Sequence, residues 1–511
     1  MDTEFQHLDN VACLEPQTGD MPAREPWSTD AQQALPWRES LDRAWQAARQ
    51  MDAEAFFKAL SVIDRAEKDC VSDRFPSWAR EASTLHAIGQ VWRDDAQSVA
   101  ASVVEGRGRH RSAVHAVLRY AAWQRHDLAR FHQLARMGRP RGPLAVLYVF
   151  ELSMQAAAEA EQLRFKQAER LAKAAQRIPL NGEAAGPQYL LPTCVLAAIA
   201  YETGDLDEAD VLIRGRMATV ERVGAAESAI LGFVVSARVA VDRGNINVAL
   251  LLLAHGERLA LERGWLRLAL RCASERILIY LDRGNLEAAR AAEAEFDDVL
   301  RATSLRLTDP DFDRWPLEVA RCRLAMASER PSEAVASASA LRFKARSRGQ
   351  FWVSLRLSVL IAGASMAAGD WSNGLAELAG SLEEGARVGL FRTFIDEMGL
   401  LVVGLRRLRQ DAEFCRGHMA AYLDGLLAHE KPRPPLTRSR RRPHRGQIES
   451  LTDREIVVLR LMSLGLSNKE IARALDIMPE TIKSHAKRIF AKLAAKARTE
   501  AVSRANELGI M

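Results

Sequence analysis

Four glycines constrain this chain more than any other feature. Gly204, Gly244, Gly284 and Gly369 each end an apolar stretch, and each is followed at once by Asp or Asn, in "YETGDLDEADVLI", "VDRGNINVALLLL", "LDRGNLEAARAAE" and "MAAGDWSNGLAEL". The same three slots are filled around every one of them. An apolar residue stands three before (Tyr201, Val241, Leu281, Met366), and another stands two after (Leu206, Ile246, Leu286, Trp371). A small residue stands five after (Ala209, Ala249, Ala289, Gly374). The intervals are 40, 40 and 85 residues, so the last spans two units. Its degenerate middle copy is "MASERPSEAVASA", with Met326, Pro331 and Ala334 in the slots.

An earlier copy, "AEQLRFKQAERLAKAA", keeps Ala168 in the small slot and has lost the glycine. "AAWQRHDLARFHQL" and "RQMDAEAFFKALSVI" are candidate diverged copies further upstream. A glycine supplies the left-handed residue that ends a helix, and Asp or Asn caps the next one. The small residue lets the two helices approach. A helical hairpin of this length cannot bury its apolar face alone, so successive hairpins stack into a solenoid. Runs of Val, Ile, Thr and aromatics are scarce beside Ala, Leu, Arg and Glu, which predicts an all-α fold. At 511 residues the chain also exceeds what one core can organise.

The pattern predicts four regions. Residues 1–35 have no clean period and are expected to be a loose arm; residues 36–430 carry the repeats. Residues 431–449 form a linker, in which Lys431, Arg433, Arg438, Arg440, Arg441, Arg442 and Arg445 are interleaved with prolines. Residues 450–511 form a compact tail. Charge divides along the same line. From Lys431 onward there are 18 Lys and Arg against 8 Asp and Glu, while the preceding 430 residues carry 53 against 58. A basic tail on a mildly acidic body points to a polyanion as the tail's partner.

The start, "MDTEFQHLDN", is acidic, and no apolar run reaches membrane-spanning length. The six cysteines are scattered without a C-x-x-C pair, so neither a disulfide framework nor a metal site is expected. A cytoplasmic protein without a cofactor or membrane fits these features.

In the tail, Thr452 and Glu455 have capping-box spacing, as do Ser467 and Glu470. These devices predict a first helix ended by Gly465 and a second with Ile471, Ala472 and Leu475 inward. After the turn "DIM", Pro479 suits the first position of a third helix whose apolar stripe is Ile482, Ala486, Ile489, Phe490 and Leu493. Thr499 is placed to cap a fourth helix that stops at Gly509. A short helix set against a longer one by a tight turn is a helix-turn-helix, here over residues 467–486. Lys483, Ser484, Lys487 and Arg488 span about 140° of the free flank of the third helix. Their side chains match the hydrogen-bonding groups of a major groove. Asn468 and Lys469 sit where free backbone N–H groups at a helix start favour phosphate.

"LTDRE", "GLSNKEIAR", "TIKSHAKRIFAKL" and "RTEAV" resemble, in order and spacing, the LuxR/FixJ-type DNA-binding domain. The repeats resemble the tetratricopeptide-like units of the MalT type. The run Gly389, Phe391, Arg392, Phe394, Asp396 and Glu397 resembles the segment that closes such an array, and Arg392 and Asp396 are spaced to pair. The resemblance implies a bacterial transcriptional regulator without an enzymatic site. It assigns base contacts to Lys483, Ser484 and Lys487, and backbone contacts to Asn468, Lys469, Thr481, His485 and Arg488. It also implies a homodimer on double-stranded DNA through Thr499, Val502, Ala505 and Leu508. A protein or small-molecule effector in the repeat groove and RNA polymerase are the further partners implied.

Two departures from the pattern stand out. Met478 takes the place of a Ser or Thr cap, and Ala494–Ala495 replace Gly-Val, so the third helix is expected to run on and shift the fourth. The nucleotide-binding P-loop that often accompanies such repeats has no counterpart in "EGRGRHRS" or "MGRPRGP", which lack the Lys-Ser/Thr pair. The rival expectation is an interaction scaffold whose tail is vestigial or binds protein.

Overall fold

The computed structural model describes residues 36–69, 77–102, 111–134, 145–180, 186–222, 225–303, 307, 309, 312–429, 451, 455, 458–459, 462, 468, 471–472 and 478–507. The expected arm and linker lie outside these residues. Those described are almost wholly helical.

One corner, repeated along the body, builds the solenoid. At Gly204, Gly244, Gly284 and Gly369 the chain turns left-handed, with φ of +92°, +79°, +71° and +90°. At each, the next N–H donates to the carbonyl five residues back, over 2.8–2.9 Å. Asp205, Asn285 and Asp370 then accept a backbone N–H of the following helix; Asn245 does not. Ala209, Ala249 and Ala289 are fully buried where the two helices meet. At the equivalent Gly374 a Cβ would come within 2.5 Å of Met366 Cγ.

The same corner recurs without glycine. Met51, Asp94, His126, Leu163 and Glu329 have φ between +56° and +61°. Each again presents the next N–H to the carbonyl five residues back, over 2.9–3.0 Å. Asp52, Asp95 and Asp127 cap the helices that follow. Ala168 and Ala334, in the slots of the degenerate copies, are buried. The copies "AAWQRHDLARFHQL" and "RQMDAEAFFKALSVI" are therefore true repeat corners. "VWRDDAQSVA", around Asp94, is one that the glycine pattern does not reveal.

The inner helices are Ala145–Glu161, Leu190–Thr203, Ala226–Asp242, Leu266–Asp282, Trp315–Ala327 and Phe351–Ala367. The superhelix is tight enough for distant repeats to meet across its axis. Trp265 Nε1–H donates to the Trp92 carbonyl at 2.6 Å, and Gln350 Nε2–H to Glu161 at 2.9 Å. The closing segment turns back onto the middle of the array: the Phe391 N–H donates to the Glu202 carbonyl at 2.7 Å and the Tyr201 hydroxyl to Asp396 at 2.9 Å. Arg392 pairs with Asp396 at 2.7 Å, as its spacing predicts, and with Asp242 at 3.0 Å. Burying these partners fixes the curvature, because the body cannot uncoil without exposing unpaired charges.

Glu275 provides a test of this network. Burial pushes its carboxyl up, but Arg238 and Arg271 outweigh that and hold it at about 2, below its ordinary 4.5. A depressed carboxylate contributes stability above its unfolded pKa and loses it as pH falls toward the folded value. Glu275→Gln is therefore expected to cost on the order of 3 kcal/mol at neutral pH. The difference from wild type should narrow below pH 4.5. Urea unfolding at pH 7 and at about pH 3.5 measures both.

Candidate nucleic-acid interface

The tail is organised around one helix, Pro479–Lys492. Ile482, Ala486, Ile489 and Leu493 are buried against Val458, Leu459, Met462, Ile471, Ala472, Ala501 and Ala505. Leu251 of the repeat body also lies against this cluster. A helix that buries one stripe leaves the opposite one in solvent. Thr481, Lys483, Ser484, Lys487 and Arg488 are all exposed there, and His485 is half-buried at the edge. The His485 Nδ1 atom is itself buried, with no hydrogen-bond partner among the described residues. Lys483 Nζ bonds the neighbouring Glu480 at 2.7 Å; among the described residues Lys487 and Arg488 have no ion pair.

Asn468 is half-buried. Thr452, Arg454, Gly465, Ser467, Lys469, Glu470, Leu475, Leu508 and Gly509 lie outside the described residues.

Both ends of the recognition helix are built without the usual residues. At its start Met478 makes no side-chain cap and is 70% exposed, and Pro479 occupies the first turn. Proline has no N–H to satisfy and holds φ near the helical value, which offsets part of a missing cap. At its end the expectation of a run-on helix fails. Ala494 turns left-handed at φ +51°, and the Ala495 N–H closes onto the Phe490 carbonyl at 2.8 Å. The repeat corner thus recurs here. Arg504 stabilises it by donating to the carbonyls of Leu493, at 2.8 Å, and Ala494. Ala494→Gly relieves a Cβ clash, offset in part by added unfolded-state entropy, and should gain about 0.5–1 kcal/mol. Hydrogen exchange of the recognition-helix amides in the full chain should slow about two- to fivefold.

Thr499 is not the cap of the last helix. That helix spans Arg498–Glu507, so Thr499 lies within its first turn. The entry is secured instead by the Glu500 carboxylate, which accepts the Lys496 N–H at 2.7 Å. Thr499 is exposed and Val502 half-buried, while Ala505 is fully buried in the domain's own core.

Two contacts support the helix from outside its apolar stripe. Lys492 Nζ donates to Glu455 at 2.7 Å with both side chains buried, tying the end of the recognition helix to the first helical segment. Arg498 donates to the Met462 carbonyl at 2.8 Å. The signal available for the first was Lys492 itself, a lysine beside the apolar stripe.

Residues 449–505 match the family described as bacterial regulatory proteins, luxR family. Residues 92–411, more than half the chain, match the MalT-like TPR region. The chain belongs to the MalT-like TPR family. Its C-terminal domain is a LuxR-type helix-turn-helix.

Over 155 residues this MalT-like TPR chain is 33% identical to a protein of Mycobacterium tuberculosis named as an HTH-type transcriptional regulator. That match takes in 29% of the chain and 17% of the relative. The HTH-type transcriptional regulator AlkS of Pseudomonas putida is 28% identical over 151 residues, 30% of the chain and 16% of the relative. The CsgBAC operon transcriptional regulatory protein of Escherichia coli is 49% identical over 57 residues, 11% of the chain and 26% of the relative. The matched stretches thus span no more than about a quarter of any of these relatives. No helix among the described residues is long and apolar enough to cross a membrane.

Proposed function

We propose that the chain is a DNA-binding transcriptional regulator with no enzymatic role, working in the cytoplasm. The recognition helix enters the major groove, with Lys483, Ser484, Lys487 and Arg488 facing base edges. Asn468, Lys469, Thr481 and His485 hold the phosphate backbone. Two copies meet on the operator through the last helix, at Thr499, Val502 and Leu508. The repeat body receives a protein or small-molecule effector and sets whether the reading domain is presented as a dimer. RNA polymerase is the further partner of such a regulator.

The observation that carries this reading is the division of one helix into two faces. Ile482, Ala486 and Ile489 form the domain core, and three unburied cations stand on the other side. A scaffold that bound protein through this tail would gain little from such a face, since exposed ion pairs contribute about 0–1 kcal/mol each. A duplex rewards it through counterion release, and each neutralised phosphate adds about 0.9 to the salt slope. The test is retardation of duplex from the gene's own upstream region by the full chain, between about 50 and 200 mM salt. Affinity should fall steeply across that range, and an unrelated duplex should bind more weakly at every point. Binding without salt dependence, or none at low salt, favours the scaffold.

A further inference from the structure

The six inner helices leave a cavity of about 200 Å³ between them. Val195, Ala198, Ile230, Leu231 and Val234 give it an apolar side, and Trp123, Trp315 and Trp352 stand along its wall. The charged groups of the wall fall into two sets. In the first, every carboxylate is held by hydrogen-bond donors. Arg267 bonds Asp94 and Glu227, and His126 bonds Asp313 at 2.8 Å. Glu161 accepts from Trp123 Nε1 at 3.1 Å and from Gln350 at 2.9 Å.

The second set is Arg238, Arg271 and Arg356, of which Arg238 alone donates a hydrogen bond among the described residues. Arg238 holds Glu275 with two bonds of 2.9 and 2.7 Å and lies 3.7 Å from Glu202. Arg271 is only 13% exposed and stacks 4.7 Å over the Trp315 ring. It reaches the same Glu275 at 3.4 Å and donates no hydrogen bond among the described residues. Arg356 is half-buried on the wall and has neither a hydrogen bond nor an ion pair among the described residues. The nearby Glu397 is committed to Arg323. Burial pulls the Arg271 guanidinium down to about 9; Glu275 opposes this, and Arg238 and Arg356 add to it. A buried cation in that state is stabilised by an added negative charge.

We infer that this cavity binds a small organic anion with an apolar or aromatic body, its acid group on Arg356 and Arg271 and its body between the tryptophans and the aliphatic side. Two guanidinium forks suit a carboxylate or a phosphate monoester equally, and a neutral ligand would leave their donors unused. The inference rests on the proposed reading that the body receives an effector, and it supplies the chemical class of that effector.

Phenylacetate, octanoate and phenyl phosphate are titrated into the full chain, with phenylacetamide as the uncharged control, and tryptophan fluorescence is the readout. At least one anion should give a saturable change, and the amide should bind at least about tenfold more weakly. Arg356→Gln should lose about tenfold or more in affinity with an unchanged melting temperature, and Arg356→Lys should lose less. Three results would overturn the inference: no saturable change from any anion up to about 10 mM, equal binding of the amide, or full affinity in Arg356→Gln. A chain that retards duplex DNA but ignores all three anions sinks this inference and leaves the DNA-binding reading intact. Anion binding that depends on Arg356, in a chain that ignores DNA, does the reverse.

Discussion

Replacing Lys487 with alanine should weaken operator binding by about 1–3 kcal/mol, roughly ten- to a hundredfold, without moving the melting temperature. The size follows from where the side chain stands. Lys487 is exposed on the free face of the recognition helix and has no ion pair among the described residues. Its ammonium is therefore fully available to a guanine edge or a phosphate. Lys483 is tied to Glu480 at 2.7 Å and must release it first, so Lys483→Ala should cost less. The unchanged melting temperature follows because neither residue touches the buried stripe of Ile482, Ala486 and Ile489. Retardation on operator and on unrelated duplex separates the two possible roles. If Lys487 reads a base, the loss falls mainly on the operator; if it holds phosphate, both duplexes lose equally and the salt slope falls by about one. Unchanged binding to both would remove the recognition helix from the proposed interface.

The fold was legible wherever the chain uses the residue that its geometry favours. At Gly204, Gly244, Gly284 and Gly369 a left-handed corner is required and glycine supplies it, so sequence and backbone agree. At Met51, Asp94, His126, Leu163 and Glu329 the same corner is held by residues with a Cβ. Burial of the helices around them sustains a conformation that costs each residue about 1–2 kcal/mol. At Met51, Asp94 and His126 the small slot is also disguised, since Phe56, Val99 and Phe131 fill it. Four of these five corners show in the sequence only as diverged copies, and the one at Asp94 is visible only once the packing is known. Ala494 misled for the same reason: intrinsic preference argues for helix, and the carbonyl contacts of Arg504 decide otherwise.

The recognition helix could be found because its function and its local periodicity use the same positions. Its base-facing residues are neighbours in sequence, and its buried stripe repeats every three or four residues. The cavity in the body has no such local signature. Arg271 and Arg356 lie 85 positions apart in the chain and come together only through the superhelical pitch. Each looks like an ordinary surface arginine on a helix. Their unused guanidinium donors are a property of the assembled array.

Arg267→Leu should destabilise the body by about 3–5 kcal/mol at pH 8 and by less as the pH falls. Arg267 joins repeats that are far apart in the chain, bonding Asp94 at 2.9 Å and also Glu227, with all three side chains no more than 12% exposed. Leucine would leave the two carboxylates facing each other without their cation. Burial already pushes both carboxyls above the ordinary carboxylate range even with Arg267 present, and its loss removes the main force holding them down. The variant can relieve the strain by protonation. A carboxyl with a raised folded pKa contributes its full stability below the unfolded value and loses it as pH rises through the folded one. The deficit of Arg267→Leu relative to wild type should therefore shrink between pH 8 and pH 5, above the range below pH 4.5 in which the Glu275→Gln deficit narrows. Urea midpoints at the two pH values measure this. A deficit independent of pH would mean that Asp94 and Glu227 find other cations, and that Arg267 does not clamp the early repeats to the middle of the array.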